Sequence, residues 1–183
     1  MMLKRLVAVL ALILGAAVAA PALADTPAGT PHMILTLKDG TVDIELEPKL
    51  APNHVKQIVA LTGQGFYDGL KFHRVIDGFM AQTGDPNGDG SGGSSLPNVK
   101  AEFSSEPFVR GTVGMARAQD PDSANSQFFI MFADGSFLNG QYTVFGKVVS
   151  GMDVVDKIKK GDPNDNGTVT DPDKIISAKI EYK

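Results

Sequence analysis

The stretch FHRVIDGFMAQTGD at 72–85 sets one arginine, Arg74, and one glutamine, Gln82, among Phe72, Val75, Ile76, Phe79 and Met80. An arginine in such company is a solvated residue, a paired core residue, or a donor at the rim of an apolar pocket. A guanidinium is always charged and carries five N–H donors and no acceptor, so it can stabilise a lone pair or a negative charge but cannot act as a base. A second candidate is SQFFI at 126–130, where the two-residue period of a strand turns Gln127 and Phe129 to the same side.

Other chemistries have their residue types present without the spacing. His32, His54 and His73 form no ligand pattern, no HExxH occurs, and no serine lies in a G-x-S-x-G elbow. Cysteine is absent, which removes thiolate, disulfide and redox chemistry. Two loops imitate the start of a calcium site. Asp85, Asn87, Asp89 and Gly90 are followed by Leu96 where a bidentate glutamate belongs. Asp162, Asn164, Asn166 and Gly167 do reach Asp173 at that position, but Pro172 precedes it and no exiting helix follows. Polar turn residues account for both loops, and neither a metal nor a cofactor is expected.

The elements that must position Arg74 and its neighbours can be read from periodicity. MILTLKDGTVDIELE (33–47) alternates as two strands about Asp39-Gly40, with Met33, Leu35 and Leu37 on one face of the first and Val42, Ile44 and Leu46 on one face of the second. Pro52 opens a helix of about three turns in which Val55, Ile58, Val59 and Thr62 fall in phase, ending at Gly63 and Gly65. Residues 84–97 form a long Gly/Asp/Asn/Pro/Ser loop, of the kind more often functional than not. Short apolar pieces follow: Val109, GTVGMA (111–116), SQFFIMF (126–132) and YTVFGKVV (142–149). Turn-rich segments between them signal an antiparallel sheet or barrel. Gly151–Ile158 reads as a second short helix and IISAKIEY (175–182) as a closing strand.

Residues 1–24 stand outside this fold. Lys4 and Arg5 precede an apolar run, and Ala22-Leu23-Ala24 offers a small-x-small cleavage site before a polar stretch. A cleaved secretory signal (1–24) is expected, then a short polar segment (25–30) and one domain (31–183). The competing reading is an uncleaved anchor. Without Lys4 and Arg5, the 17 basic residues become 15 against 21 acidic ones, a formal charge of −6. This argues against a nucleic-acid partner.

FHRVIDGFMAQTGD (72–85), GDGSGGS (88–94), GTVGMARA (111–118), SQFFI (126–130) and FLNGQYTVFGKVVSGMDVVDKI (137–158) together resemble a cyclophilin-type peptidyl-prolyl cis–trans isomerase. The resemblance spans about residues 31–182. It implies a mainly β fold, a closed eight-stranded antiparallel β-barrel capped by two α-helices. The family's catalytic arginine falls on Arg74, and its proline pocket on Phe79, Met80, Phe129 and Leu138. Its glutamines match Gln82 and Gln127, its peptide-binding segment Ala116, Arg117 and Ala118, and its rim aromatics Phe137 and Tyr142. Arg117 replaces a common asparagine and is expected to point away from the groove. Thr83-Gly84 stands where many members have Gly-Gly. Sequence leaves open whether Gln82 contacts substrate or orients Arg74.

The implied activity suits an arginine. Rotation about a peptide bond is opposed by about 20 kcal/mol of conjugation. In the twisted transition state the prolyl nitrogen regains a lone pair that a guanidinium can favour. The implied enzyme works on X-Pro bonds of exported proteins in the periplasm, or outside the cell if the host has a single membrane. Its partners are proline-containing segments of unfolded or partly folded chains. A monomer without stable membrane association after cleavage is expected. Cyclosporin A should bind weakly, because Phe137 lacks the indole of tryptophan-bearing members. The alternative is a proline-segment binding module or general chaperone with incidental isomerase activity.

Overall fold

The computed structural model describes residues 28–183, so the expected signal segment 1–24 lies outside the described residues. Eight strands and two helices follow in the order β1 (Pro31–Leu37), β2 (Gly40–Leu46), α1 (Pro52–Gly63), β3 (Arg74–Ile76), β4 (Met80–Thr83), β5 (Thr112–Met115), β6 (Phe128–Met131), β7 (Val144–Ser150), α2 (Met152–Asp156) and β8 (Ser177–Tyr182). Among the described residues, no helix is long and apolar enough to cross a membrane.

Every ladder is antiparallel, and the strand order is β3-β4-β6-β5-β7-β2-β1-β8. The expectation of a closed barrel is therefore corrected. The sheet is curved but open, with β3 and β8 as its two ends and no ladder between them. The reason lies along the outer edge of β3. Val75 N donates to Gly167 O, Gly161 N donates to Val75 O, and Val169 N donates to His73 O. A loop has taken the hydrogen bonds that a closing strand would need. It runs close enough that a Cβ on Gly161 would collide with the Gly167 carbonyl. Strand β8 closes instead on β1, pairing from Pro31↔Tyr182 to Thr36↔Ser177.

The period of two sorts the sheet's residues onto two layers. On the inner face, Met33, Leu35, Leu37, Val42, Ile44 and Leu46 are buried as the alternation predicts, together with Val75, Ala81, Val113, Phe128 and Ile130. Helix α1 covers one end with Val55, Ile58, Leu61 and Thr62, while Val59 is only partly buried. Helix α2 is shorter than the sequence pattern suggests and buries Val154 and Val155. Helix α1 has no side-chain cap of its own. Glu102 supplies one from 48 residues away, accepting from the backbone N–H groups of Asn53 and His54 and from His54 Nδ1 at 2.7 Å.

A second, smaller apolar layer lies on the other face. It contains Met80, Phe108, Phe129, Met131, Leu138 and Val144, with Ile76, Phe79, Ala116 and Tyr142 packed against it. These are the alternate residues of the same strands: Met80 beside Ala81, and Phe129 beside Phe128 and Ile130. The FFIM run of β6 fails to alternate because both of its faces are covered.

Candidate active site

One row across the short strands builds the site. Arg74 on β3 faces Gln82 on β4, Gln82 faces Phe129 on β6, and Phe129 faces Gly114 on β5. Gly114 is required here, since a Cβ would stand 2.5 Å from Phe108 Cε1 and 2.6 Å from Phe129 Cζ. The Phe108 ring stacks on Phe129 at 5.7 Å between centroids, fixing the latter from beneath. Sequence reasoning noted Val109 and passed over Phe108, yet Val109 is exposed and Phe108 is buried. The three-residue spacing of Gly111 and Gly114 marks a close approach but does not say which ring makes it.

Above this row lies a cavity of about 280 Å³ lined by Arg74, Phe79, Met80, Gln82, Ala116, Arg117, Phe129, Phe137, Leu138 and Tyr142. Met80, Phe129 and Leu138 are buried and form its floor. Phe137 is 64 % exposed and stands at the rim, its ring 5.4 Å from Phe79. Ala118 and Gln127, the remaining candidates from sequence, line an adjoining cavity of about 210 Å³ with Gly90, Ser91, Gly92, Ser123 and Asn125. Gln82, Ala116 and Arg117 border both cavities. The two together form one groove.

Arg74 is held from two sides. Its Nη1 donates to Gln82 Oε1 at 3.2 Å, Nε donates to Asn166 O at 3.0 Å, and Nη2 donates to Asn166 Oδ1 at 3.0 Å. The Gln82 Nε2 donates to Gln127 Oε1 at 2.9 Å, and Gln127 Nε2 donates to the carbonyls of Gly90 and Gly92. The polarity of this chain is forced at both ends. Arg74 can only donate and a carbonyl can only accept, so each glutamine must present its oxygen toward Arg74. Gln82 thus orients the guanidinium and also borders the cavity. Burial pulls the Arg74 pKa below the usual arginine value, against a raising influence from Tyr142. The group remains charged.

Asn166 escaped the sequence reading because it sat in the calcium-like loop. Its backbone is left-handed (φ 50°) at the end of a tight turn over Pro163–Asp165. The other polar residues of that loop are also occupied: Asp162 accepts from Asn164 N, and Asp173 pairs with Lys38 and accepts from Lys159 N. In the earlier loop Asp85, 1 % exposed, accepts from the backbone N–H groups of Asn87, Asp89 and Gly90. Thr83 turns inward, its Oγ1 donating to Lys71 O, and leaves the groove untouched. Arg117 differs from expectation. Its guanidinium lies 4.5 Å over the Tyr142 ring, on the groove, because carbonyls of Ala118, Gln119 and Gln141 draw it there.

The sequence matches, over residues 32–180, the model of the family described as Cyclophilin type peptidyl-prolyl cis-trans isomerase/CLD. The chain belongs to this family. A probable peptidyl-prolyl cis-trans isomerase of Brucella suis is 66 % identical over 160 residues, 81 % of this chain and 82 % of that protein. Peptidyl-prolyl cis-trans isomerase A of Dickeya dadantii is 41 % identical over 192 residues, 100 % of both chains. A Cryptosporidium parvum cyclophilin type peptidyl-prolyl cis-trans isomerase, solved in the presence of the dipeptide Ala-Pro, is similar with a TM-score of 0.75 at 29 % identity, over 83 % of this chain and 99 % of that one. A cyclophilin from Hirschia baltica gives 0.71 at 30 % identity, over 80 % and 72 %. This cyclophilin is an enzyme that catalyses rotation about X-Pro peptide bonds and binds proline-containing segments.

Proposed function

We propose that Arg74 is the catalytic donor and that the 280 Å³ cavity receives the substrate proline. Phe79, Met80, Phe129 and Leu138 hold the pyrrolidine ring while the preceding carbonyl rotates, and Phe137 and Tyr142 border the entrance. Ala116, Arg117 and Ala118 receive the peptide backbone, with Gln82 and Gln127 behind them. The observation that carries this reading is the clamped guanidinium. Three of its five N–H donors are held by Gln82 and Asn166. Nη1 also lies 4.0 Å from Met80 Sδ, a weak acceptor on the cavity floor, and one Nη2 hydrogen is left beside the apolar cavity. A donor aimed at the twisted prolyl nitrogen, and of no use to either planar isomer, lowers the barrier selectively. No bond breaks, so the reaction needs no base, nucleophile or metal. Removing one such donor costs about 10²–10³ in rate. Arg74→Ala should lose that much kcat/KM on an Ala-Pro peptide while its melting curve holds. An Arg74→Ala enzyme as fast as wild type would sink this mechanism; a wild type that speeds no Ala-Pro peptide but suppresses aggregation of a proline-free client would favour a binding-only module.

The same reading places the enzyme in the periplasm as a monomer that helps exported chains fold. Support comes from the order of residues 1–30: basic start, apolar run, Ala22-Leu23-Ala24, polar segment. Uncatalysed X-Pro isomerisation takes tens to hundreds of seconds, long enough to leave exported chains open to aggregation. Intact mass of the protein from the host's envelope checks the cut after Ala24; a mass retaining residues 1–24 in the membrane fraction would favour an anchor. Cyclosporin A should bind weakly, because a phenyl at Phe137 lacks an indole donor, a loss of roughly 1–3 kcal/mol. Titration of wild type and Phe137→Trp checks this, and equal affinities would remove Phe137 as the cause.

A further inference from the structure

The groove carries two guanidinium groups, Arg74 and Arg117, and no carboxylate among the residues that line its two cavities. This occurs in a chain whose formal charge is −4. Arg74 is accounted for by the rotation itself; Arg117 is not. Its Nη1 donates to Ala118 O at 2.8 Å and Gln119 O at 3.2 Å, and its Nη2 donates to Gln141 O at 2.9 Å. With the Tyr142 ring beneath it, the group is pinned in a single place. All three acceptors are neutral carbonyls, and among the described residues no carboxylate pairs with the charge. Its Nε is buried and has no hydrogen-bond partner, and one Nη2 hydrogen remains.

A pinned, half-buried, uncompensated guanidinium with one Nη2 hydrogen to spare is a receiver for a carboxylate oxygen. It stands where the proline cavity meets its neighbour, so the carboxylate must come from a residue close to the proline. The one carboxylate among the residues lining the next cavity along, Asp89, faces Ser91, to which its Oδ1 is bonded at 2.9 Å and 2.6 Å. It leaves Arg117 free.

We propose that Arg117 makes this cyclophilin selective for acidic X-Pro segments, those carrying aspartate or glutamate near the proline. This rests on the assignment of the 280 Å³ cavity to proline. The selectivity is local, since a steering effect from net charge would have the opposite sign in an acidic chain.

The test is a set of peptides built around one X-Pro bond. Glutamate, or its neutral isostere glutamine, is placed in turn at the residue before the proline, at the one before that, and at each of the two residues after the proline. At about 20 mM salt, one position should show a Glu:Gln ratio of kcat/KM of about fivefold, the upper range for a partly exposed ion pair. The ratio should fall toward unity at about 0.5 M salt. In Arg117→Gln it should be lost at low salt as well, and in Arg117→Lys it should persist in part. The ratio is internal to each variant, so a change in overall activity does not disturb it. If Arg117→Gln fails to fold, the side-chain Nε–H resonance of Arg117 in the wild type takes its place. It should move on adding the glutamate peptide and stay put with the glutamine one. A ratio near one at every position, a ratio unchanged in Arg117→Gln, or an unmoved resonance would overturn the proposal. Absence of turnover on the all-neutral Ala-Pro peptide is a separate result, which would overturn the proline-cavity assignment and this proposal together.

Discussion

The sheet has two halves that do different things with their outer faces. Strands β1, β2, β7 and β8 are six or seven residues long, and β3 to β6 only three or four. Over the long strands the outer face carries charged, solvent-exposed pairs, Lys147 with Glu45 and Glu47 and Lys179 with Glu181. Exposed pairs of this kind contribute little stability. Over the short strands the outer face carries a second apolar layer, and that layer is left incomplete by about 280 Å³. The inner faces of both halves share one core. Stability is thus common to the whole sheet, while substrate binding depends on the half whose outside was never finished.

The largest effect expected from this division is on stability alone. Phe145 on β7 is fully buried in the shared core, its ring 6.0 Å from that of Phe128. Phe145→Ala should cost about 3–5 kcal/mol in urea unfolding. Turnover per folded molecule, measured well below the unfolding midpoint, should stay near that of wild type. Activity falling in step with stability would show that the halves are not separable.

A smaller effect is expected at the clamp on Arg74. Asn166→Gly keeps the left-handed backbone at φ 50° and its carbonyl contact to Nε, and deletes only the Oδ1 that accepts from Nη2. A guanidinium freed on one edge samples wrong orientations, so kcat should fall about three- to tenfold. KM should hardly move, because Asn166 does not line the proline cavity. A rise in KM at constant kcat would mean that Asn166 binds peptide rather than positioning Arg74.

How far the fold and the site could be read from sequence depended on the distance over which each signal acts. The β1–β2 pair and α1 were legible because one apolar period fixes the buried face. The candidate residues came from contiguous motifs, and the cavity does gather Arg74, Phe79, Met80, Phe129 and Leu138. Asn166 was not legible: its partner lies 92 residues away, and its neighbours mimic a calcium loop. The open edge of β3 was hidden for the same reason, since it depends on a loop that carries no strand pattern. Arg117 lies on the groove because β5 ends at Met115, so the strand alternation that would turn it away from Ala116 and Ala118 no longer holds there.

The smallest effect near neutrality, and one that grows with acid, is expected at the seam between the halves. His54 opens α1 and is fully buried, and Glu102 reaches it from a segment tied to Thr143, just before β7. Burial depresses the His54 pKa below 6.5, and outweighs the raising effect of Glu102. The unfolded chain therefore takes up the proton first as pH falls, so this contribution is complete above pH 6.5 and is lost below it. For Glu102, burial acts to raise the pKa, but hydrogen bonds from His54 and Asn53 more than offset it and leave the value below 4.5. That second contribution is complete above pH 4.5 and is lost as pH falls further. His73, also depressed by burial, adds to the first window. Urea unfolding should therefore show constant stability from about pH 8 to 6.5, a decline below that, and a further decline under 4.5. In His54→Gln the decline between 6.5 and 4.5 should be shallower and the later one retained. A wild-type profile flat across that interval, or a variant declining just as steeply, would mean that the cap on α1 is not what acid opens first.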